Sequence, residues 1–88
     1  KLPESDVNDL GFILSGKNRK KDALEIFKYN LEANPNSSNA FESLAEGYEG
    51  AGEKELALKN YKRSVELDPK NNYAVDRIKK LEGEINGR

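Results

Sequence analysis

Two stretches of this chain, Leu31–Ala40 and Val65–Ala74, read LEANPNSSNA and VELDPKNNYA, and their corresponding residues lie 34 positions apart. Each stretch ends a helix-like run at a proline, because the residue before proline avoids the α region. Aligning the chain with itself at the same offset pairs residues 4–37 with residues 38–71 without a gap. We therefore interpret the two segments as copies of one supersecondary unit.

The two copies share residues at eight aligned positions, which are mostly apolar, small or turn-forming. The identical pairs are Leu10/Leu44, Gly16/Gly50, Lys20/Lys54, Ala23/Ala57, Leu24/Leu58, Lys28/Lys62, Glu32/Glu66 and Pro35/Pro69. Phe27/Tyr61 and Asn34/Asp68 are conservative pairs. The agreement at these positions indicates that both copies pack in the same way.

Apolar residues recur at helical spacing twice within each copy. In the first copy they are Val7, Leu10, Gly11 and Leu14, then Ala23, Leu24, Phe27 and Leu31; in the second they are Phe41, Leu44, Ala45 and Tyr48, then Ala57, Leu58, Tyr61 and Val65. Residues 16–19, which begin with Gly16, and residues 50–52, which read Gly50-Ala51-Gly52, are expected to form the turns between the two helices of each copy. Ser38 and Asn72 stand at matching positions and are expected to cap the helices that follow them.

A fifth helix is predicted after the second copy. Ala74, Val75, Ile78 and Leu81 give it one apolar side, and its other side is charged. A stack of repeats leaves an apolar face at its end, and a helix with a polar outer side closes that face. The predicted fold is all-α: an α-solenoid of two antiparallel helix-turn-helix repeats (4–37 and 38–71) with a C-terminal capping helix (72–85), in one domain spanning 1–88.

The composition excludes several classes of function. The 88 residues include 15 basic and 16 acidic side chains, for a net charge of −1, whereas nucleic-acid binders normally carry a basic excess. No apolar run is long enough to insert in a membrane. Histidine and cysteine are absent, and no phosphate-binding loop or metal-ligand spacing occurs. We expect no catalysis, metal, cofactor, nucleic-acid binding or membrane insertion from this chain.

The repeat resembles the tetratricopeptide repeat family. That family places a bulky residue, a leucine, a small residue and an aromatic residue along its first helix, as do Phe41, Leu44, Ala45 and Tyr48. Its second helix carries an alanine, an aromatic residue and a small residue before a proline, as do Ala57, Tyr61, Ser64 and Pro69. The first copy departs from the pattern at Leu14, where an aromatic is usual, and at Asn30, where a small residue is usual.

The resemblance implies a protein–protein interaction module, in which the first helix of each repeat lines a concave groove that binds an extended or helical peptide. By repeat position, the groove residues are Asn8, Phe12, Asn39, Glu42, Ser43, Glu46, Tyr73, Arg77 and Lys80. Asparagines would pair with the peptide backbone, and the two aromatic rings would contact its side chains. The alternative is a solvated polar face that carries two exposed rings.

One subclass of the family clamps the C-terminal carboxylate of chaperones with two lysines, two asparagines and an arginine. The corresponding positions here hold Asn8, Phe12, Ser43, Tyr73 and Arg77, and only the arginine matches. We therefore expect the partner to be another protein or peptide.

A second resemblance suggests a different role. The runs AFESLAEGY (40–48) and KELALKNYKRSVELDPKNNYA (54–74) are similar to short repeat tails that follow bacterial hydrolase domains of the serine β-lactamase or esterase kind. The chain begins with Lys1 and contains no methionine, which leads us to expect a longer parent protein. In that case the repeats would be a structural tail that packs on the catalytic domain of its own chain or forms a homodimer.

Overall fold

The computed structural model describes residues 3–87 and contains five α-helices and no strands in that range. The helices are α1 (Glu4–Gly16), α2 (Lys20–Ala33), α3 (Ser38–Gly50), α4 (Lys54–Leu67) and α5 (Asn72–Asn86). The all-α fold predicted from the apolar spacing is confirmed.

The helix boundaries repeat with the sequence. Both ends of α3 lie 34 residues after those of α1, both ends of α4 lie 34 residues after those of α2, and α5 begins 34 residues after α3. Consecutive helices pack on one another, and α1 also contacts α3. The chain is thus a stack of helix-turn-helix units in which α1, α3 and α5 occupy equivalent places.

The core contains two clusters of buried apolar residues, and one half-buried residue packs against both. The first contains Ala23, Phe27 and Leu44, and the second contains Ala45, Ala57, Tyr61, Ala74 and Leu81. Tyr48 is half-buried and packs against both. Because α3 contributes to each cluster, this helix joins the two repeats into one core.

Phe27 is completely buried between two glycines on the neighbouring helices. A Cβ atom on Gly11 of α1 would lie 2.4 Å from the Cε1 atom of this ring, and one on Gly47 of α3 would lie 2.8 Å from its Cδ2 atom. Both distances are too short for carbon atoms in contact, so the glycines let α1 and α3 approach the ring.

The turns inside the two repeats have the same backbone geometry. Asn18 and Gly52, which are equivalent positions, both have positive φ, at 63° and 82°. In each turn the next N–H bonds back into the helix, from Arg19 to the carbonyl of Leu14 and from Glu53 to the carbonyl of Tyr48, both at 2.9 Å. Both residues lie within the turns predicted at 16–19 and 50–52, and within those turns they, not Gly16 and Gly50, have the left-handed backbone.

The helix caps lie one residue earlier than predicted. The side chain of Ser37 accepts a hydrogen bond from the Ala40 N–H at 3.0 Å, and the side chain of Asn71 accepts one from the Ala74 N–H at 3.1 Å. Ser38 and Asn72 are the first residues inside α3 and α5. The assignment of these two residues as caps was wrong because adjacent polar residues can both satisfy the sequence pattern.

Leu10 is 43% exposed, although its apolar spacing placed it in the core. Its equivalent in α3, Leu44, is 5% exposed and packs in the first cluster. The two environments differ because α2 precedes α3 in the stack, whereas within residues 3–87 no helix precedes α1.

The last helix has the polar outer side that the sequence predicts for a cap. Asp76 and Lys79 are exposed, while Ala74 and Leu81 are completely buried against the second cluster. Ion pairs of 3.3 Å between Lys54 and Glu84, and of 3.2 Å between Lys62 and Glu82, connect α5 to α4. These pairs are solvent-exposed, so burial of the apolar residues contributes most of the attachment energy.

Truncation of the two equivalent leucines is expected to have unequal effects. Leu44→Ala should lower the free energy of unfolding by about 2–5 kcal/mol, since it leaves a cavity in the first cluster. Leu10→Ala should change it by less than about 1 kcal/mol, because the side chain is already half-exposed. Urea unfolding followed by circular dichroism measures both values, and equal losses would contradict the placement of Leu10.

Two glycine substitutions test the packing around Phe27. Gly11→Ala should destabilise the protein because the new methyl group overlaps the ring. Gly83→Ala is the matched control, since a Cβ there meets nothing within 4 Å. It should raise the free energy of unfolding by about 0.5–1 kcal/mol through the helix propensity of alanine. A gain in stability from Gly11→Ala would show that the ring does not lie where the structure places it.

Candidate functional site

The candidate site is the surface formed by the first helices of the repeats, which we call the α1–α3–α5 surface. Equivalent positions form rows across it: Phe12, Glu46 and Lys80 make one row, and Asn39 and Tyr73 belong to another. Of these residues, Phe12, Asn39, Tyr73 and Lys80 are exposed, and Glu46 is half-buried. Five of the nine residues predicted to bind a peptide are therefore accessible on this surface.

The two exposed aromatic rings rest on buried aromatic rings. Phe12 is 42% exposed, and its ring centroid lies 5.0 Å from that of Phe27 in a tilted arrangement. Tyr73 is 50% exposed and packs edge-on against Tyr61, with centroids 6.5 Å apart. Such geometries are favourable between aromatic rings. Phe12 and Tyr73 are thus supported from below and keep a free face toward solvent.

Glu49 connects three helices beneath this surface. Its carboxylate forms an ion pair with Arg77 of α5, and its Oε1 atom accepts hydrogen bonds from Tyr61 Oη at 3.1 Å and from Arg77 Nε at 3.3 Å. Both charged side chains are only 22% exposed. Arg77 therefore holds α5 against α3, and a ligand could use it only by displacing this bridge.

Glu42 also belongs to an internal network. Its Oε1 atom accepts a hydrogen bond of 2.6 Å from Asn71 Nδ2, and the same amide donates to Ser64 Oγ at 3.3 Å. Ser64 and Ser38 exchange further hydrogen bonds between α4 and α3, at 2.8–3.0 Å. The network fixes the junction of α3, α4 and α5, since Asn71 is also the cap of α5.

Asn8 and Ser43 do not line an open surface, contrary to their assignment from repeat position. They are only 6% and 3% exposed. Asn8 Oδ1 accepts a hydrogen bond of 2.9 Å from the buried Asn30, whose own Oδ1 accepts one of 3.0 Å from Asn34. A peptide backbone could reach Asn8 only by opening the contact between α1 and α2.

The sequence contained a signal for this buried pair. Asn30 stands at a position where the tetratricopeptide repeat family, which the sequence resembles, usually has a small residue. Its equivalent in the second repeat is Ser64, which is completely buried. A buried amide needs partners for its donors and acceptors. The departure at Asn30 therefore pointed to a polar neighbour on α1, and Asn8 is that neighbour.

Partial burial and nearby charges shift three ionisable groups on this surface. Burial is the main cause that raises the pKa of Glu46. A hydrogen bond from the Tyr73 hydroxyl lowers this pKa, the Glu42 carboxylate raises it further, and the positive charge of Arg77 lowers it. Burial, followed by the Glu46 carboxylate, raises the pKa values of both Tyr61 and Tyr73. The two phenols therefore remain neutral hydrogen-bond donors at neutral pH.

A surface cleft of about 660 Å³ lies beside α4, outside the α1–α3–α5 surface. Phe41 and Leu58 form its apolar part, and Arg63 lies over the Phe41 ring at 5.7 Å. Arg63 and Lys62, which also line it, pair with Glu66 and Glu82 at 2.8 and 3.2 Å. Because Arg63 and Lys62 already have partners, a ligand in the cleft would have to compete with these ion pairs for them.

Within residues 3–87, no helix is both long and apolar enough to cross a membrane. Among the same residues, no group of three or more acidic, histidine or cysteine side chains is arranged to hold a metal ion.

Comparison of the chain with models of known protein families and with curated proteins finds no match. The family resemblance therefore depends on the repeat pattern of the sequence and on the helix positions described above.

The raised pKa of Glu46 predicts a pH-dependent effect of Glu46→Gln on stability. A carboxyl group whose pKa is higher in the folded state than in the unfolded state destabilises the folded state once the pH rises above the pKa of the unfolded chain, which is near 4.5 for Glu46. The variant should therefore melt at a higher temperature than the parent at pH 7. The difference should disappear near pH 3.5, where both side chains are neutral.

Thermal melts of both proteins at the two pH values measure this effect. Glu66→Gln is a suitable control, because Glu66 is exposed and forms an ion pair with Arg63 instead of lying in a partly buried site. A variant that is less stable than the parent at pH 7 would contradict the environment assigned to Glu46.

Proposed function

We propose that this chain is a protein–protein interaction module of the tetratricopeptide repeat type, which binds an extended or helical peptide segment on its α1–α3–α5 surface. The resemblance of the sequence to that family supports the proposal, as does the 34-residue offset between equivalent helices.

The observation that carries the proposal is the pair of exposed rings, Phe12 and Tyr73, on the outer two of the three helices. Each ring is held by a buried ring, Phe27 or Tyr61, and so loses little side-chain freedom when a partner covers it. Rigid aromatic side chains give a large contact area at low entropic cost and often dominate binding energies. A peptide that crosses the three helices would contact both rings.

The polar residues of the surface divide into two groups. Glu42 and Arg77 are engaged with Asn71 and Glu49 and hold the helices in register. Asn39 is exposed and uncharged, and Glu46 forms no ion pair of 4.0 Å or less with any residue in 3–87. Lys80 has an exposed pair of 4.0 Å with Glu84, one turn along its own helix, which a partner can replace. In our proposal Asn39 pairs with the peptide backbone, Glu46 attracts a basic side chain and Lys80 an acidic one.

A second candidate function is assembly, in which the repeats form a tail that packs on another domain or on a second copy. The half-exposed leucine and isoleucine on the outer face of α1, at 43% and 55%, favour it, since apolar residues at helical spacing are usually covered. The two functions use different surfaces, so one chain can perform both.

Selection from a displayed library of random 15-residue peptides tests the proposed binding. The selected sequences should carry a basic residue between apolar residues, and calorimetry should give a measurable Kd with residues 1–88. Phe12→Ala and Tyr73→Ala should each weaken binding roughly tenfold, as expected for interface aromatics.

Tyr29→Ala is the matched control, because Tyr29 is 48% exposed on α2, outside the α1–α3–α5 surface. It should leave the Kd unchanged. The proposal is overturned if no peptide is selected, or if Tyr29→Ala weakens binding as much as the two surface variants.

A further inference from the structure

The outer face of α1 carries an apolar centre between two opposite charges. Asp6, Leu10 and Ile13 of α1 and Lys17, the residue at its C-cap, follow one another at spacings of four, three and four residues, which places them on one side of the helix axis. Leu10 is 43% exposed, Ile13 is 55% exposed, and both charged residues are exposed. We call these four residues the α1 outer face.

The equivalents of Leu10 and Ile13 on the other first helices are helix-packing positions. Leu44 of α3 packs with Ala23 and Phe27 of α2, and Ile78 of α5 packs against the cluster that contains Ala57 and Tyr61 of α4. The equivalents of Ile13 are Gly47, which touches Phe27, and Leu81, which is completely buried. The α1 outer face therefore has the position and apolar centre of a surface that packs on another helix.

Asp6 distinguishes this face from an ordinary continuation of the stack. Its equivalents Ala40 and Ala74 are both completely buried. A helix seated in the same way on α1 would bury the carboxylate of Asp6, which is costly unless a cation accompanies it. Among residues 3–87, neither Asp6 nor Lys17 forms an ion pair. An occupant that carries a cation opposite Asp6 and an anion opposite Lys17 would pair both charges.

We propose that the occupant is the α1 outer face of a second copy of this chain, packed antiparallel. The four positions are symmetric about the middle of the face, so a two-fold axis between Leu10 and Ile13 brings each leucine onto the partner's isoleucine. The same axis brings each Asp6 onto the partner's Lys17. The face is self-complementary in both shape and charge, as a two-fold interface requires.

The resulting dimer is weak and reversible. The seam is about three helical turns long and contains two apolar side chains from each copy, which places it below the roughly 1,200 Å² of a standard stable interface. It leaves the α1–α3–α5 surface uncovered, because Phe12 lies on a different side of α1 from Leu10 and Ile13. Failure of the dimer would leave the proposed peptide binding untouched.

Sedimentation equilibrium of residues 1–88 over a hundredfold concentration range tests the proposal. The parent should form a concentration-dependent dimer that Ile13→Ser abolishes. Asp6→Lys and Lys17→Asp should each weaken the dimer roughly tenfold, because every reversal puts two like-charged pairs in the interface. An equimolar mixture of these two variants should associate as a heterodimer, and the double variant D6K/K17D should dimerise like the parent.

Lys79→Asp is the matched control, since Lys79 is an exposed lysine on the outer side of α5, at the other end of the stack. It should leave the dimer unchanged. Far-ultraviolet circular dichroism at the temperature of the experiment checks that every variant is folded. The proposal is overturned by a parent that stays monomeric, by a dimer that tolerates Ile13→Ser, or by charge-reversal variants that fail to restore association when mixed.

Discussion

One aromatic ring fixes the distance between the two repeats. Phe27 of α2 inserts between Gly11 of α1 and Gly47 of α3, and the closest approaches allow a hydrogen but no methyl group on either glycine. The ring also supports Phe12 from below and belongs to the same cluster as Leu44. The position of the exposed ring on the α1–α3–α5 surface therefore follows from the packing of the core. The second repeat uses the same place for Tyr61, whose hydroxyl reaches Glu49 and whose ring supports Tyr73.

Buried hydrogen bonds between polar side chains, together with the two apolar clusters, hold the helices in place. In the first repeat Asn8 pairs with Asn30 between α1 and α2, and in the second the equivalent of Asn30 is Ser64, which pairs with Ser38 between α3 and α4. Within residues 3–87, every buried side-chain nitrogen and oxygen has a hydrogen-bond partner. These contacts specify the helix register, because a shift along either helix would leave buried polar groups unpaired. They also explain why only part of the polar residues on the candidate surface is available to a partner.

The sequence predicted the helices well because the information is local and occurs twice. Apolar spacing, proline positions and the 34-residue offset agreed on five helices. Side-chain accessibility was harder to predict, since it depends on which helix is next to which. Leu10 has the same apolar spacing as Leu44, but no helix precedes α1 among residues 3–87, so its side chain is half-exposed. Asn8 stands at a repeat position that lines the groove in the family, yet its side chain is buried and hydrogen-bonded to Asn30. The bridge from Glu49 to Arg77 joins residues 28 positions apart, one in the second repeat and one in the capping helix, and no local pattern indicates such a pairing.

The ring of Phe27 lies between α1 and α3 and so determines the surface that they form. Nuclear Overhauser contacts in solution measure this placement. The structure predicts contacts from the ring protons of Phe27 to the α protons of both Gly11 and Gly47, with the resonances of both glycines shifted by the ring current. Contacts to only one of the two glycines, or to neither, would contradict it, because the two helices could then not share the ring.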